Sequence, residues 1–145
     1  MIPAVMRRPV PVVLATLALA AAVGACGTQD NVVQSSNASA DVKNGSQLFV
    51  ERCASCHTLS KVGAQGSAFK VSDRERVDGP NFDVRKECVD NVLYAIRNGG
   101  YSGAIMPENL VVGKQAQDVA VFLQKYSGLE REATVGAQAL SCPGG

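Results

Sequence analysis

Hydrophobic and polar positions divide the chain into blocks of different character. An apolar run extends from Val10 to Val23, and a polar stretch rich in Gln, Asn, Ser and Thr follows from Gly27 to Ala40. That stretch holds too little apolar surface to order itself, so a flexible linker is expected. Beyond it, Leu48, Phe49 and Val50 crowd a segment that Asp41 is placed to N-cap as a helix. A second helix is predicted where Val89, Val92, Leu93 and Ile96 fall at i, i+3, i+4 and i+7, with Gly99 and Gly100 as a left-handed stop. Val119, Phe122, Leu123 and Tyr126 repeat the spacing in a last helix ending at Gly128, with Lys125 in its final turn. Apolar stripes of this kind are packing surface, and no chemistry is assigned to them.

The amino terminus reads as a processing signal. Arg7 and Arg8 precede the apolar run, and Val23, Gly24 and Ala25 stand just before Cys26. The pattern resembles a lipobox, in which the cysteine accepts a diacylglycerol and becomes the first mature residue. The run is short for a membrane-spanning helix. The expected organisation is a signal over 1–25, a tether over 26–40 from lipidated Cys26, a folded domain over 41–128 and a tail over 129–145. The expected location is the extracytoplasmic face of the cell membrane, held by lipid.

Composition leaves room for one folded domain. Of the fourteen basic residues, Arg7 and Arg8 leave with the signal, so twelve face thirteen acids. The basic residues are scattered, which argues against a nucleic-acid partner. Trp is absent and other aromatics are few, as suits a small core filled partly by a prosthetic group.

Cys53, Ala54, Ser55, Cys56 and His57 form a C-x-x-C-H run. Two thiols one helical turn apart can add to the two vinyl groups of a haem while the adjacent histidine reaches the iron. Competing readings are a redox dithiol and half of a zinc site. No βαβ pattern surrounds the motif, and His57 is the one histidine in the chain. Met106 is the remaining methionine once Met1 and Met6 go with the signal. It stands in Ala104, Ile105, Met106, Pro107 after a glycine-rich stretch, a setting for a loop laid over a flat ring. Its thioether is the candidate second axial ligand and would favour ferrous iron.

From about Val42 to Gly128 the chain resembles the class I cytochrome c family, small all-α domains with one covalently bound haem c. In that family the first helix carries a glycine and, four residues on, an aromatic where it crosses the last helix; Gly45 and Phe49 match. Gly79, Pro80, Asn81 and Phe82 resemble the element whose proline carbonyl accepts the hydrogen of the axial histidine. The resemblance therefore implies Pro80 as the residue that orients His57. The chain departs from compact relatives between Ala68 and Asp78, where a stretch of mixed charge is inserted. A solvated loop is expected there, with a partner contact as the alternative.

Of five cysteines, Cys88 and Cys142 are left unassigned. Outside the cytoplasm a disulfide between them is the favoured expectation, pinning the tail to the start of the second helix. The alternative is two separate thiols. With both axial positions filled, the expected function is one-electron transfer without catalysis. The family implies a quinol-oxidising complex and a terminal oxidase or dehydrogenase as partners. Alternatives are a fixed haem subunit of one such complex, and a gas- or peroxide-binding protein in which Met106 leaves the iron.

Overall fold

The computed structural model describes residues 31–68, 71–101, 105–131 and 141–142. Its elements are α1 (Val32–Ser35), α2 (Ala40–Arg52), α3 (Val89–Asn98) and α4 (Gly113–Tyr126), with a small hairpin of β1 (Thr58–Leu59) and β2 (Ala64–Gln65). The strands pair antiparallel, Thr58 opposite Gln65 and Leu59 opposite Ala64. Single turns of 3-10 helix occupy Ser60–Val62 and Val71–Asp73. The fold is the expected all-α one.

The crossing of α2 and α4 sets the frame. A Cβ added at Gly45 would stand 2.8 Å from the Phe122 Cβ and closer still to the Asp118 carbonyl, so the helices meet where side-chain volume is absent. One turn on, the Phe49 and Phe122 rings lie 5.7 Å apart. Both side chains are fully buried. Burial of rings this size contributes a few kcal/mol each, roughly 25 cal/mol per Å² of apolar surface.

In α3, Val92 and Ile96 are buried, with Val89 and Leu93 packed at the edge of the core. The helix stops at Gly99, whose φ of 67° is left-handed. In α4, Val119, Phe122 and Leu123 are buried, and Tyr126 is partly so. That helix ends at Tyr126, earlier than Gly128, because Ser127 turns extended with ψ 150°.

Two further expectations are corrected. The N-cap of α2 is Ser39, and Asp41 lies inside the first turn, where its Oδ1 accepts a 2.8 Å bond from Lys114 Nζ. The linker expected over 26–40 is ordered in its described part. There α1 buries Val33, 1% exposed, and Gln34 Nε2 donates to Ser46 Oγ and to the Lys43 carbonyl, both at 2.7 Å. One valine and a glutamine that bonds the neighbouring helix suffice to dock a polar segment. Cys26 and the signal over 1–25 lie outside the described residues, as does most of the tail. Of that tail, Cys142 is joined to Cys88 by a disulfide, which ties it to the N-cap of α3.

Candidate functional site

The C-x-x-C-H run begins where α2 ends. Cys53 is the C-cap of that helix, its N–H bonded to the Phe49 carbonyl at 2.8 Å. The chain then coils in a tight turn, with the Cys56 and His57 N–H groups both donating to the Cys53 carbonyl, at 3.1 and 3.0 Å. This holds the two cysteines one turn apart. Cys53 and Cys56 are free thiols, Cys53 buried and Cys56 half-buried. Burial, with Cys56 beside it, pushes the Cys53 thiol up to about 12. That is opposite to the lowered value a reactive dithiol needs. Among the described residues no group of three or more His, Cys, Asp or Glu is placed to hold a metal ion.

Packing holds the His57 ring on three sides. Its Nδ1 lies 3.1 Å from the Pro80 carbonyl, so Nδ1 carries the hydrogen and Nε2 keeps its lone pair. The Phe82 ring stacks on it with centroids 4.8 Å apart and planes within 7°. Gly79 abuts it, and a Cβ there would stand 2.5 Å from Nδ1 and 2.7 Å from Nε2. Burial lowers the pKa of His57; the Pro80 bond opposes this, and the charges of Arg85 and Arg74 add to the lowering. The imidazole is thus kept neutral, the form that ligates iron.

The segment carrying Gly79, Pro80 and Phe82 is itself tied down. Gly79 N–H donates to the Cys56 carbonyl at 2.7 Å and Phe82 N–H to the Thr58 carbonyl at 2.8 Å. Asp83, buried, accepts from the Ser60 N–H at 2.7 Å and its hydroxyl at 2.6 Å. Gly66 closes the turn from the other side, its N–H on the His57 carbonyl at 3.2 Å, and a Cβ there would meet the Ser55 and Cys56 backbone.

Met106 is half-buried and packs against the core. Its loop is fastened to the end of α3. Asn109 N–H donates to the Ile96 carbonyl at 2.7 Å, and a Cβ on Gly99 would come 2.7 Å from the Met106 carbonyl. The structure therefore gathers Cys53, Cys56, His57 and Pro80 into one cluster and anchors the Met106 loop on α3. Cys88 and Cys142 lie apart from that cluster and serve as a tie. Sequence reasoning quoted Gly79 and Phe82 as part of a motif and assigned neither a role, and it passed over Gly66. The G-P-N-F run was the available signal for the first two; nothing in the sequence marked the third.

Helices crossing at a glycine, ahead of a C-x-x-C-H turn whose histidine is held by a proline carbonyl, define a domain of the c-type cytochrome class. The cytochrome c family model matches residues 42–127, and the chain belongs to the cytochrome c family. The domain is accordingly that of a haem protein of electron transfer, with haem c bound covalently. Among solved structures, the c-type cytochrome SorU from Sinorhizobium meliloti is similar, 26% identical, over 61% of this chain and 92% of that one, with a TM-score of 0.44. A search of curated proteins found no match.

Proposed function

We propose that this protein is a lipid-anchored electron carrier with one haem c, attached through Cys53 and Cys56 and ligated by His57 and Met106. The observation that carries the reading is the seating of His57. A neutral imidazole with Nδ1 on the Pro80 carbonyl offers Nε2 as a donor of fixed orientation. The donor set fits the group: two free thiols one turn apart, an adjacent oriented imidazole, and a thioether on an anchored loop.

Haem c, when bound, supplies a one-electron couple. The residues of this chain do the rest. Phe82 stacks on His57 and Phe49 packs at a tilt to it, their centroids 4.8 and 6.4 Å from its ring. Pro80 holds the Nδ1 hydrogen, so the ligand stays neutral and aimed. Two protein ligands leave no position for a substrate, so the role is transfer without catalysis. Cys26 is the proposed lipid acceptor, placing the domain on the extracytoplasmic face of the membrane. A quinol-oxidising complex on one side and a terminal oxidase or dehydrogenase on the other are the proposed partners.

The test is the optical spectrum of the mature protein, oxidised and reduced, including the weak charge-transfer band of iron bound to methionine sulfur. The band is expected in the wild type and lost in Met106→Ala. A haem-loaded wild type without the band overturns the methionine ligation. Mass analysis of the membrane-extracted amino terminus tests Cys26, where a free cysteine sinks the anchor.

A further inference from the structure

The described part of the inserted stretch between Ala68 and Asp78 is folded around one side chain. Asp78 Oδ2 accepts from the Glu75 N–H at 3.0 Å and the Ala68 N–H at 3.3 Å, and the Asp78 N–H returns to the Glu75 carbonyl at 3.1 Å. Residues 72–77 are nonetheless exposed. From this exposed loop Arg74 reaches inward, its Nη2 donating to the carbonyls of both Asp78 and Gly79 at 3.1 Å.

Those carbonyls belong to the strap that seats His57. Gly79 N–H is bonded to the Cys56 carbonyl at 2.7 Å, and the next residue, Pro80, receives His57 Nδ1 at 3.1 Å. The strap is thus held by the attachment motif on one side and by the guanidinium on the other. Gly79 touches the imidazole closely enough to exclude a Cβ, so a shift of the strap is a shift of the ring's seat. Charge matters as well as geometry. The other nearby cation, Arg85, is paired with Glu87. Among the described residues Arg74 makes no ion pair, so its charge is not offset by a carboxylate bonded to it.

We propose that Arg74 is a positioning residue for the haem ligand His57, locking the Asp78–Gly79–Pro80 strap, and that its charge raises the reduction potential of the haem. The proposal rests on His57 being the iron ligand. A positive charge near the iron disfavours the oxidised, more positive state, and hydrogen bonding around a ligand is a lever on potential. The insertion then has a role in tuning the haem besides any it has at the surface.

The test uses the full haem-loaded chain and two readouts, the reduction potential and amide hydrogen exchange at Gly79. Arg74→Ala should lower the potential and speed the exchange. Arg74→Lys keeps the charge without the planar fork, so its potential should fall less while exchange stays fast. Arg76→Ala, in the same exposed loop, should change neither. An unchanged potential and unchanged exchange in haem-loaded Arg74→Ala overturns the proposal while leaving His57 as ligand. So does an equal shift in Arg76→Ala, which would show surface charge alone. A wild type whose haem is not ligated by His57 overturns both readings, and the spectrum reveals that case.

Discussion

The rings of His57 and Phe82 lie parallel, 4.8 Å between centroids and 7° between planes. Phe82 therefore serves both as core, 6% exposed, and as the wall against which the histidine is stacked. Phe82→Ala should destabilise the domain by about 3–5 kcal/mol, since it opens a cavity beside Phe49 as well as beside His57. Phe82→Leu restores volume without the flat face. It should cost about 1–2 kcal/mol and broaden the haem spectrum, read by thermal unfolding and optical absorption on the same sample.

Gly79→Ala tests another contact of the ring. The added methyl has no room unless the imidazole or the strap moves. Haem attachment in this variant should be reduced, and the protein that does load should show a weakened iron to sulfur charge-transfer band. A spectrum identical to wild type would mean that the strap yields without disturbing the ligand.

Asp118 makes the α2–α4 crossing sensitive to acid. It is 2% exposed and accepts 2.7 Å bonds from Asn44 Nδ2 and Lys114 Nζ. Burial raises its pKa, but the bonds from Lys114 and Asn44 outweigh burial and hold it below the ordinary value. The folded pKa lies under the unfolded one, so the carboxylate contributes stability above about pH 4 and loses it as pH falls through the folded pKa. Asp118→Asn should cost about 1–3 kcal/mol at pH 7, and the gap to wild type should close below pH ~4. Unfolding curves at neutral and acid pH check this; a gap constant with pH would contradict it.

Breaking the Cys88–Cys142 tie should act on stability alone. The bridge closes a loop across 54 residues of sequence. Cys88→Ser with Cys142→Ser should lower stability by about 2–4 kcal/mol. The haem spectrum should stay unchanged, because neither cysteine lies in the cluster around His57. Denaturant unfolding and the spectrum together separate the two effects.

What could be read in the sequence was whatever is written locally. The C-x-x-C-H run is contiguous, and the Val92 and Ile96 stripe recurs at helical spacing. The Pro80 role came through resemblance, and the 3.1 Å contact with His57 agrees with it. What stayed hidden depends on neighbours far along the chain. Ser39 rather than Asp41 caps α2 while Lys114, 73 residues away, binds Asp41. Gly66 is demanded by a backbone passing over it, which no local pattern reveals. Arg74 looked like one charge among several in a polar loop. Its bonds to two carbonyls exist because the loop folds back on itself through Asp78.

The docking of α1 changes the mechanics of the proposed anchor. A free leash from Cys26 to the start of α2 at Ala40 could extend roughly 50 Å, at about 3.5 Å per residue. With Val33 seated in the core, only the residues between the proposed acceptor Cys26 and Asn31 separate the lipid from the docked segment, a span of at most roughly 17 Å. Under the proposed lipidation at Cys26, a domain on so short a line would ride close to the headgroups and sample a narrow shell of the membrane surface. Its encounters would then be governed by lateral diffusion in two dimensions, and a redox partner would have to present its own site at that low altitude to be served.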